Sequence, residues 1–372
     1  MLSLNYQQSE QYLLIFAACL ITKGHSRSLL TDPQRGKFDL IPNDMIDFME
    51  NAKLYSLKTL FKIYGAENKE IVESYIVYIL ENEYGFLADK EIRHNFPEIK
   101  IDWKNPARIT NCIIDIKDFE QTKTYYERII TQLSDLQCEA VQIRSYIALT
   151  LEQLQYLANQ VSQTSIEYLE IYVKDNDDLA LNKLIRLLQE HTKISNFIVH
   201  SSTKNDEYDV IKKLASIYYT TQELTDETCC GLIEKQYFNA VKNHYMEAQF
   251  YNSCLNRKIS VDANGNLKNC PSMQTSYGKA SETTIVDVLQ NEDFTSVWNL
   301  KKDFVLTCQD CEFRYVCTDC RAYIEDPENL YSKPLKCGYD PYTNEWSDWK
   351  ENPLKQKAIS HYQLSNVKRM LS

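Results

Sequence analysis

Cys308-Gln309-Asp310-Cys311-Glu312-Phe313-Arg314-Tyr315-Val316-Cys317-Thr318-Asp319-Cys320 places four thiols at intervals of two, five and two residues. A hydrophobic core uses cysteine as a small apolar residue and has no reason to repeat such short intervals. Thiolates held two residues apart can bind one ion or one cluster from a single tight turn. Working outward, Cys254-x10-Gly265-x4-Cys270 lies upstream, and Cys337 follows after sixteen intervening residues. One zinc takes four thiolates and two zincs take eight. Seven suit two iron–sulfur clusters, one with four ligands and one with three and an open iron position. The bland alternative stays in view, because Cys308, Cys311, Cys317 and Cys320 alone would make a structural zinc knuckle.

The chain of 372 residues is too long for one ordinary core, so two or three domains are expected. A net charge of −11 argues against a nucleic-acid partner, since nothing would neutralise phosphates. Only eight glycines occur, with no GxGxxG and no P-loop, so an ATP-using role is not expected of this chain. The longest apolar run, Tyr12 to Ile21, is too short for a bilayer and has no basic flank or cleavage site. Neither a membrane anchor nor a signal peptide is expected. The clustered cysteines then read as metal ligands in a reducing cytoplasm. Cys19, Cys112 and Cys138 are scattered and read as core residues.

The first 87 residues read as three strands (12–21, Arg27–Thr31 and Lys37–Ile41) followed by three helices. Asp32-Pro33-Gln34-Arg35-Gly36 makes a tight turn between the second and third strands. The helices are expected from Asn43, as N-cap, to Asn51, over Ser56–Tyr64, and over Lys69–Glu83 with Gly85 as the stop. That order is winged-helix-like. A polar linker, 88–106, carries two prolines. From 107 to 236 the pattern alternates, with strands at Cys112–Ile116, Ala140–Arg144, Tyr168–Val173, Phe197–His200 and Ser216–Tyr219. Helices are expected at Glu120–Leu133, from a Thr150/Gln153 capping box to Val161, at Leu179–His191 and near Asp209–Leu214. About five βα units imply a parallel sheet in an open or partial barrel. The last region, 237–372, should open on a helix near Tyr237–Tyr251. A hairpin with a two-residue turn at Asn264-Gly265 then follows, pairing Ile259 with Cys270.

The arrangement C-x(9–15)-G-x4-C, C-x2-C-x5-C-x3-C, C marks the SPASM domain, the auxiliary-cluster domain of radical SAM peptide-modifying enzymes. Residues 254–337 resemble it, with Cys317-x2-Cys320 one residue short. Cys270-Pro271, Phe313-Arg314, Cys320-Arg321-Ala322, Lys333-Pro334 and the surroundings of Trp346 are similar too. From Lys23-Gly24 through Ile41-Pro42-Asn43 to Thr110-Asn111, the chain resembles the grasp-with-spasm SPASM-domain peptide maturases, encoded beside an ATP-grasp ligase and a short precursor peptide. The resemblance implies an α/β chain with a PqqD-like leader-recognition domain, a partial radical-SAM-like (β/α) barrel and a C-terminal iron–sulfur domain. It implies two [4Fe-4S] clusters. One would be held by Cys308, Cys311, Cys317 and Cys337. The other would be held by Cys254, Cys270 and Cys320, with a fourth position open or filled by an unidentified group. The partners it implies are a precursor peptide, bound by adding a strand to a sheet edge, and an ATP-grasp ligase. Arg27 and Arg35 are solvated charges or partners for an acidic leader.

A radical SAM enzyme needs C-x3-C-x2-C after the first barrel strand. Here that place reads Lys117-Asp118-Phe119-Glu120-Gln121-Thr122-Lys123, and the motif occurs nowhere. SAM cleavage by this chain alone is therefore not expected, and catalytic residues stay unassigned. Six histidines (His25, His94, His191, His200, His244 and His361) form no HxH or HExxH pattern. His200 ends a strand on the face where βα folds place their sites. Cys229-Cys230 is a vicinal pair, read as an inert pair, a redox pair or the missing ligand.

Overall fold

The structure is a computed structural model that describes residues 6–212 and 214–364. The N-terminal unit contains β1 (Tyr12–Ile15), β2 (Leu20–Lys23), β3 (Arg27–Asp32), β4 (Lys37–Pro42), α1 (Asn43–Ala52), α2 (Leu57–Tyr64), α3 (Lys69–Glu81) and β5 (Gly85–Ala88). Strands β2, β3 and β4 form an antiparallel sheet, whereas β1 pairs with β5. The single strand expected over 12–21 is therefore two. The chain turns through Ala17-Ala18, where the Cys19 amide donates to the Phe16 carbonyl, and the halves join different sheets.

Two helix ends also differ from expectation. Pro42, not Asn43, is the N-cap of α1. The Asn43 amide instead donates to the carbonyls of Gly24 and His25, tying down the β2–β3 turn. Helix α3 stops at Asn82-Glu83, with Glu83 at φ 56°, because Gly85 already belongs to β5. Alternation along β3 sends its side chains both ways. Leu30 enters the core with Phe48, Leu60 and Ile76 under the three helices, while Leu29 faces Phe313, Cys317 and Cys337.

The middle of the chain supplies β6 (Asn111–Ile116), α4 (Phe119–Asp135), β7 (Ala140–Ser145), α5 (Leu151–Ser162), β8 (Tyr168–Lys174), α6 (Leu181–Glu190), β9 (Ile194–His200), β10 (Asp206–Ile211) and β11 (Ala215–Tyr219). The Thr150/Gln153 capping box opens α5 as expected. Three helical crossovers are present. The helix expected near 209–214 is replaced by β10, an antiparallel edge strand paired with β11 and bulged between Asp209 and Ile211. Its ladder bonds to β11 and the edge contact of Tyr208 with Tyr219 outweigh a weak helical period.

C-terminal to these lie α7 (Lys242–Ala248), β12 (Lys258–Val261), β13 (Leu267–Lys268), α8 (Ile285–Leu289), α9 (Glu292–Ser296), β14 (Tyr339–Asp340), β15 (Glu345–Trp346) and α10 (Gln356–His361). Helix α7 is shorter than the expected 237–251. The Asn239 amide donates to the Val316 carbonyl at 2.8 Å, which holds the preceding backbone extended. Strand β12 runs parallel to β6, so the hairpin continues the large sheet: β10-β11-β9-β8-β7-β6-β12-β13. The division expected at 236/237 is thus crossed by one eight-stranded, open α/β sheet, whose edges are β10 and β13. No helix among the described residues is long and apolar enough to cross a membrane.

Candidate metal centres

The first thiol group grows from tight turns. A 3-10 turn over Cys308–Asp310 brings the Cys311 amide to the Cys308 carbonyl at 3.1 Å. The Cys317 amide donates to Phe313, closing the next turn. Cys337 arrives from a distant loop held by the bridge Ile233↔Cys337 and by the Ile233 amide on the Lys336 carbonyl. Cys308, Cys311, Cys317 and Cys337 then line one small cavity of about 20 Å³ with Lys302, Phe313 and Tyr339. Cys320 is not among them. The zinc knuckle of Cys308, Cys311, Cys317 and Cys320 considered from spacing would need Cys320, which lies outside this cavity's lining.

Cys320 joins the second group instead. The loop before β12 is set by Asn252, whose Oδ1 accepts the amides of Cys254 at 3.0 Å and Leu255 at 2.8 Å. Beyond the hairpin comes Cys270. The hairpin turn has three residues rather than two: the Asp262 amide donates to Asn266, and Ser260 pairs with Lys268. The register thus shifts by one from the expected Ile259–Cys270 pairing. Gly265 has φ +75°, the positive value that such a turn requires. Cys230 also reaches this group. Cys270 feels the charges of Cys230, Cys254 and Cys320, and Cys320 those of Cys254 and Cys230.

All twelve cysteines are free of disulfides. Burial pushes the thiols of Cys270 and Cys317 up to about 12 and that of Cys320 to about 11. Such thiols stay protonated unless something positive replaces the proton. Each group has a lysine beside it. Lys302, 4% exposed, puts Nζ 3.2 Å from Cys317 Sγ. Lys258 puts Nζ 3.5 Å from Cys254 Sγ. Burial works against both ammonium charges. Cys317 and Asp319 outweigh it at Lys302, while Cys254, Cys270 and Cys230 outweigh it at Lys258, so both stay above the usual lysine range. Thiol sulfurs, together with the Asp319 carboxylate at Lys302, are thus what the two lysines face. Among the described residues, no three His, Cys, Asp or Glu side chains close around a point that one metal ion could occupy.

The C-terminal end of the large sheet carries a buried polar cluster. Helix α4 begins two residues after β6, with Asp118 capping it through the Gln121 amide. Asp115 takes a two-pronged bond from Arg144, at 2.7 and 2.8 Å, and a third from the Tyr146 hydroxyl at 2.5 Å. All three side chains are buried. His200 sits there as a structural group, Nε2 at 2.8 Å from the Ser145 carbonyl and Nδ1 at 3.0 Å from Ser201 Oγ. Cys19, Cys112 and Cys138 are buried in hydrophobic cores. Arg27 and Arg35 are engaged within the chain, with Glu312 at 2.8 Å and Asp32 at 3.0 Å. Sequence spacing missed Lys258, Lys302 and Arg144, because no interval marks a counter-charge that folding brings in. It left Cys230 undecided, twenty-four positions before Cys254.

No family model and no curated protein matches the chain. Two solved structures of Streptococcus suis SuiB are similar in three dimensions. One, bound to precursor peptide SuiA, has 10% identity and a TM-score of 0.27 over 86% of this chain and 98% of that one. The other, bound to S-adenosylmethionine, has 10% identity and a TM-score of 0.28 over 88% of this chain and 98% of that one. Scores of this size carry no argument about fold or function.

Proposed function

We propose that this chain is a maturation protein for a ribosomally made, post-translationally modified peptide, carrying two [4Fe-4S] clusters and working with an ATP-grasp ligase. Residues Cys308, Cys311, Cys317 and Cys337 would hold one cluster, and Cys254, Cys270 and Cys320 the other. When bound, such clusters supply one-electron transfer. The observation that carries this reading is the gathering of thiols from distant loops into two groups, each answered by a lysine. Thiolates around one zinc at about 2.3 Å must close on a single point. In a four-iron cluster each thiolate takes a different iron. The protein's own work is to keep the lysines charged and to exclude water from the sulfurs.

Precursor binding is assigned to residues 1–87. Strands β2 and β4 are the outer strands of their sheet, and a free edge can accept an extended peptide. Beside β2 runs a groove of about 390 Å³ lined by Leu20, Ile21, Met49, Lys53, Phe96 and Ile99. With no C-x3-C-x2-C in its sequence, the chain is assigned a binding and electron-transfer role without SAM cleavage of its own.

Anaerobic purification followed by iron, sulfide and zinc analysis tests the reading. Iron and sulfide in equal amounts, about eight of each per chain, are expected for two clusters. Zinc without sulfide after anaerobic reconstitution overturns it. Titration of a fluorescent leader peptide, encoded beside this chain, against the full protein tests the binding half.

A further inference from the structure

Spacing leaves Cys230 outside any ligand set, yet the fold carries its segment onto the second thiol group. Ser272 Oγ donates to the Glu227 carbonyl at 3.0 Å, and Lys336 Nζ donates to the Cys230 carbonyl at 2.7 Å. Gly231 presses against Cys320 so closely that a Cβ there would lie 2.7 Å from its Sγ. The two neighbouring thiols part company. Cys229 Sγ faces the Glu223 carbonyl and the Thr225 hydroxyl. Cys230 instead shares the electrostatic surroundings of Cys254, Cys270 and Lys258, and Arg144 adds a second cation on its side.

We propose that Cys230 is the fourth thiolate of the centre formed by Cys254, Cys270 and Cys320. This rests on the cluster reading above and deepens it. Cys230 would hold the group as a thiolate, its thiol proton released to solvent when the metal binds. No iron of that cluster is then left for a substrate, so the centre passes electrons or fixes loops, and any chemistry on the precursor takes place elsewhere.

The test compares anaerobically purified wild type, C229S, C230S and C230A by iron and sulfide analysis, EPR and Mössbauer spectroscopy. Wild type and C229S should carry two complete clusters. C230A and C230S should lose about one iron per chain and show a three-iron signal after mild oxidation. Complete clusters in C230A, indistinguishable from wild type, overturn the assignment. Should C230A fail to fold, wild type treated with ¹³C-cyanide still decides: no hyperfine coupling to iron is expected, and coupling at an open iron overturns the assignment. Wild type without iron overturns the cluster reading and this inference together. Wild type with two clusters, one of them binding cyanide, overturns only the inference.

Discussion

Asn252 Nδ2 donates to Asp319 Oδ2 at 2.8 Å, and both residues are 0% exposed. Asn252 organises the loop of Cys254, while Asp319 sits in the loop between Cys317 and Cys320. The same carboxylate lies 2.9 Å from Arg321 Nε and 3.8 Å from Lys302 Nζ. One buried anion therefore joins both thiol-bearing regions.

Asp319→Asn keeps the size of the side chain and removes the charge, leaving Arg321 and Lys302 buried with less compensation. Removing one partner from a buried ionic group costs about 3–5 kcal/mol. The expected result is a marked fall in the thermal melting temperature, with loss of metal from both centres together. An unchanged melting temperature would contradict the joint role.

Lys302→Met should lower the reduction potential of the centre at Cys308, Cys311, Cys317 and Cys337. A positive charge nearby favours the reduced, more negative cluster. Over about 6 Å at an effective dielectric near 20 the Coulomb term is on the order of 2–3 kcal/mol, roughly 100 mV for one electron. Spectroelectrochemical titration reads this directly, and the second centre should keep its potential.

Gly231→Ala meets two obstacles at once: φ is +85°, and the added Cβ would approach Cys320 Sγ to 2.7 Å. The variant should lose iron from the second group and retain the first. EPR of anaerobically reconstituted protein checks it, and a full complement of both signals would count against the close packing.

Burial raises the Glu247 carboxyl from 4.5 to about 7, although Asn256 Nδ2 donates to it at 2.7 Å. Below about pH 4.5 the group is protonated whether the chain is folded or not, and it contributes nothing. Between there and about pH 7 the unfolded chain ionises while the folded one resists, so stability falls as pH rises. The loss reaches at most about 3 kcal/mol. Glu247→Gln should remove this dependence and melt higher than wild type at pH 8. Parallel melting curves for both proteins across the window would refute it.

Much of this architecture could be read from residue patterns. The parallel strands of the large sheet showed as short apolar runs, and Thr150 with Gln153 marked the start of α5 before any coordinates. Misreadings arose where tertiary pairing overrode local preference. A helix is expected near Asp209–Leu214, but the ladder of Asp206–Ile211 with Ala215–Tyr219 decides the conformation up to Ile211. Residues 12–21 look like one strand, because nothing local announces that Ile15 pairs with Gly85 while Leu20 pairs with Thr31. The cysteine intervals mark loops that the fold brings to one cavity, yet Cys230 carries no interval to read. Its neighbours are fixed by Lys336 and Ser272, more than forty residues away. Counter-charges such as Lys258 are invisible for the same reason.

Strand β3 has Leu29 on one side and Leu30 on the other, both 0% exposed, and Leu29 rests against Cys317 and Cys337. The N-terminal unit is thus also a roof over the Cys317 and Cys337 thiols. A shortened chain beginning at residue 107 would bare that side to air and water, so oxygen sensitivity, rather than lost affinity, would be the first symptom of trimming it.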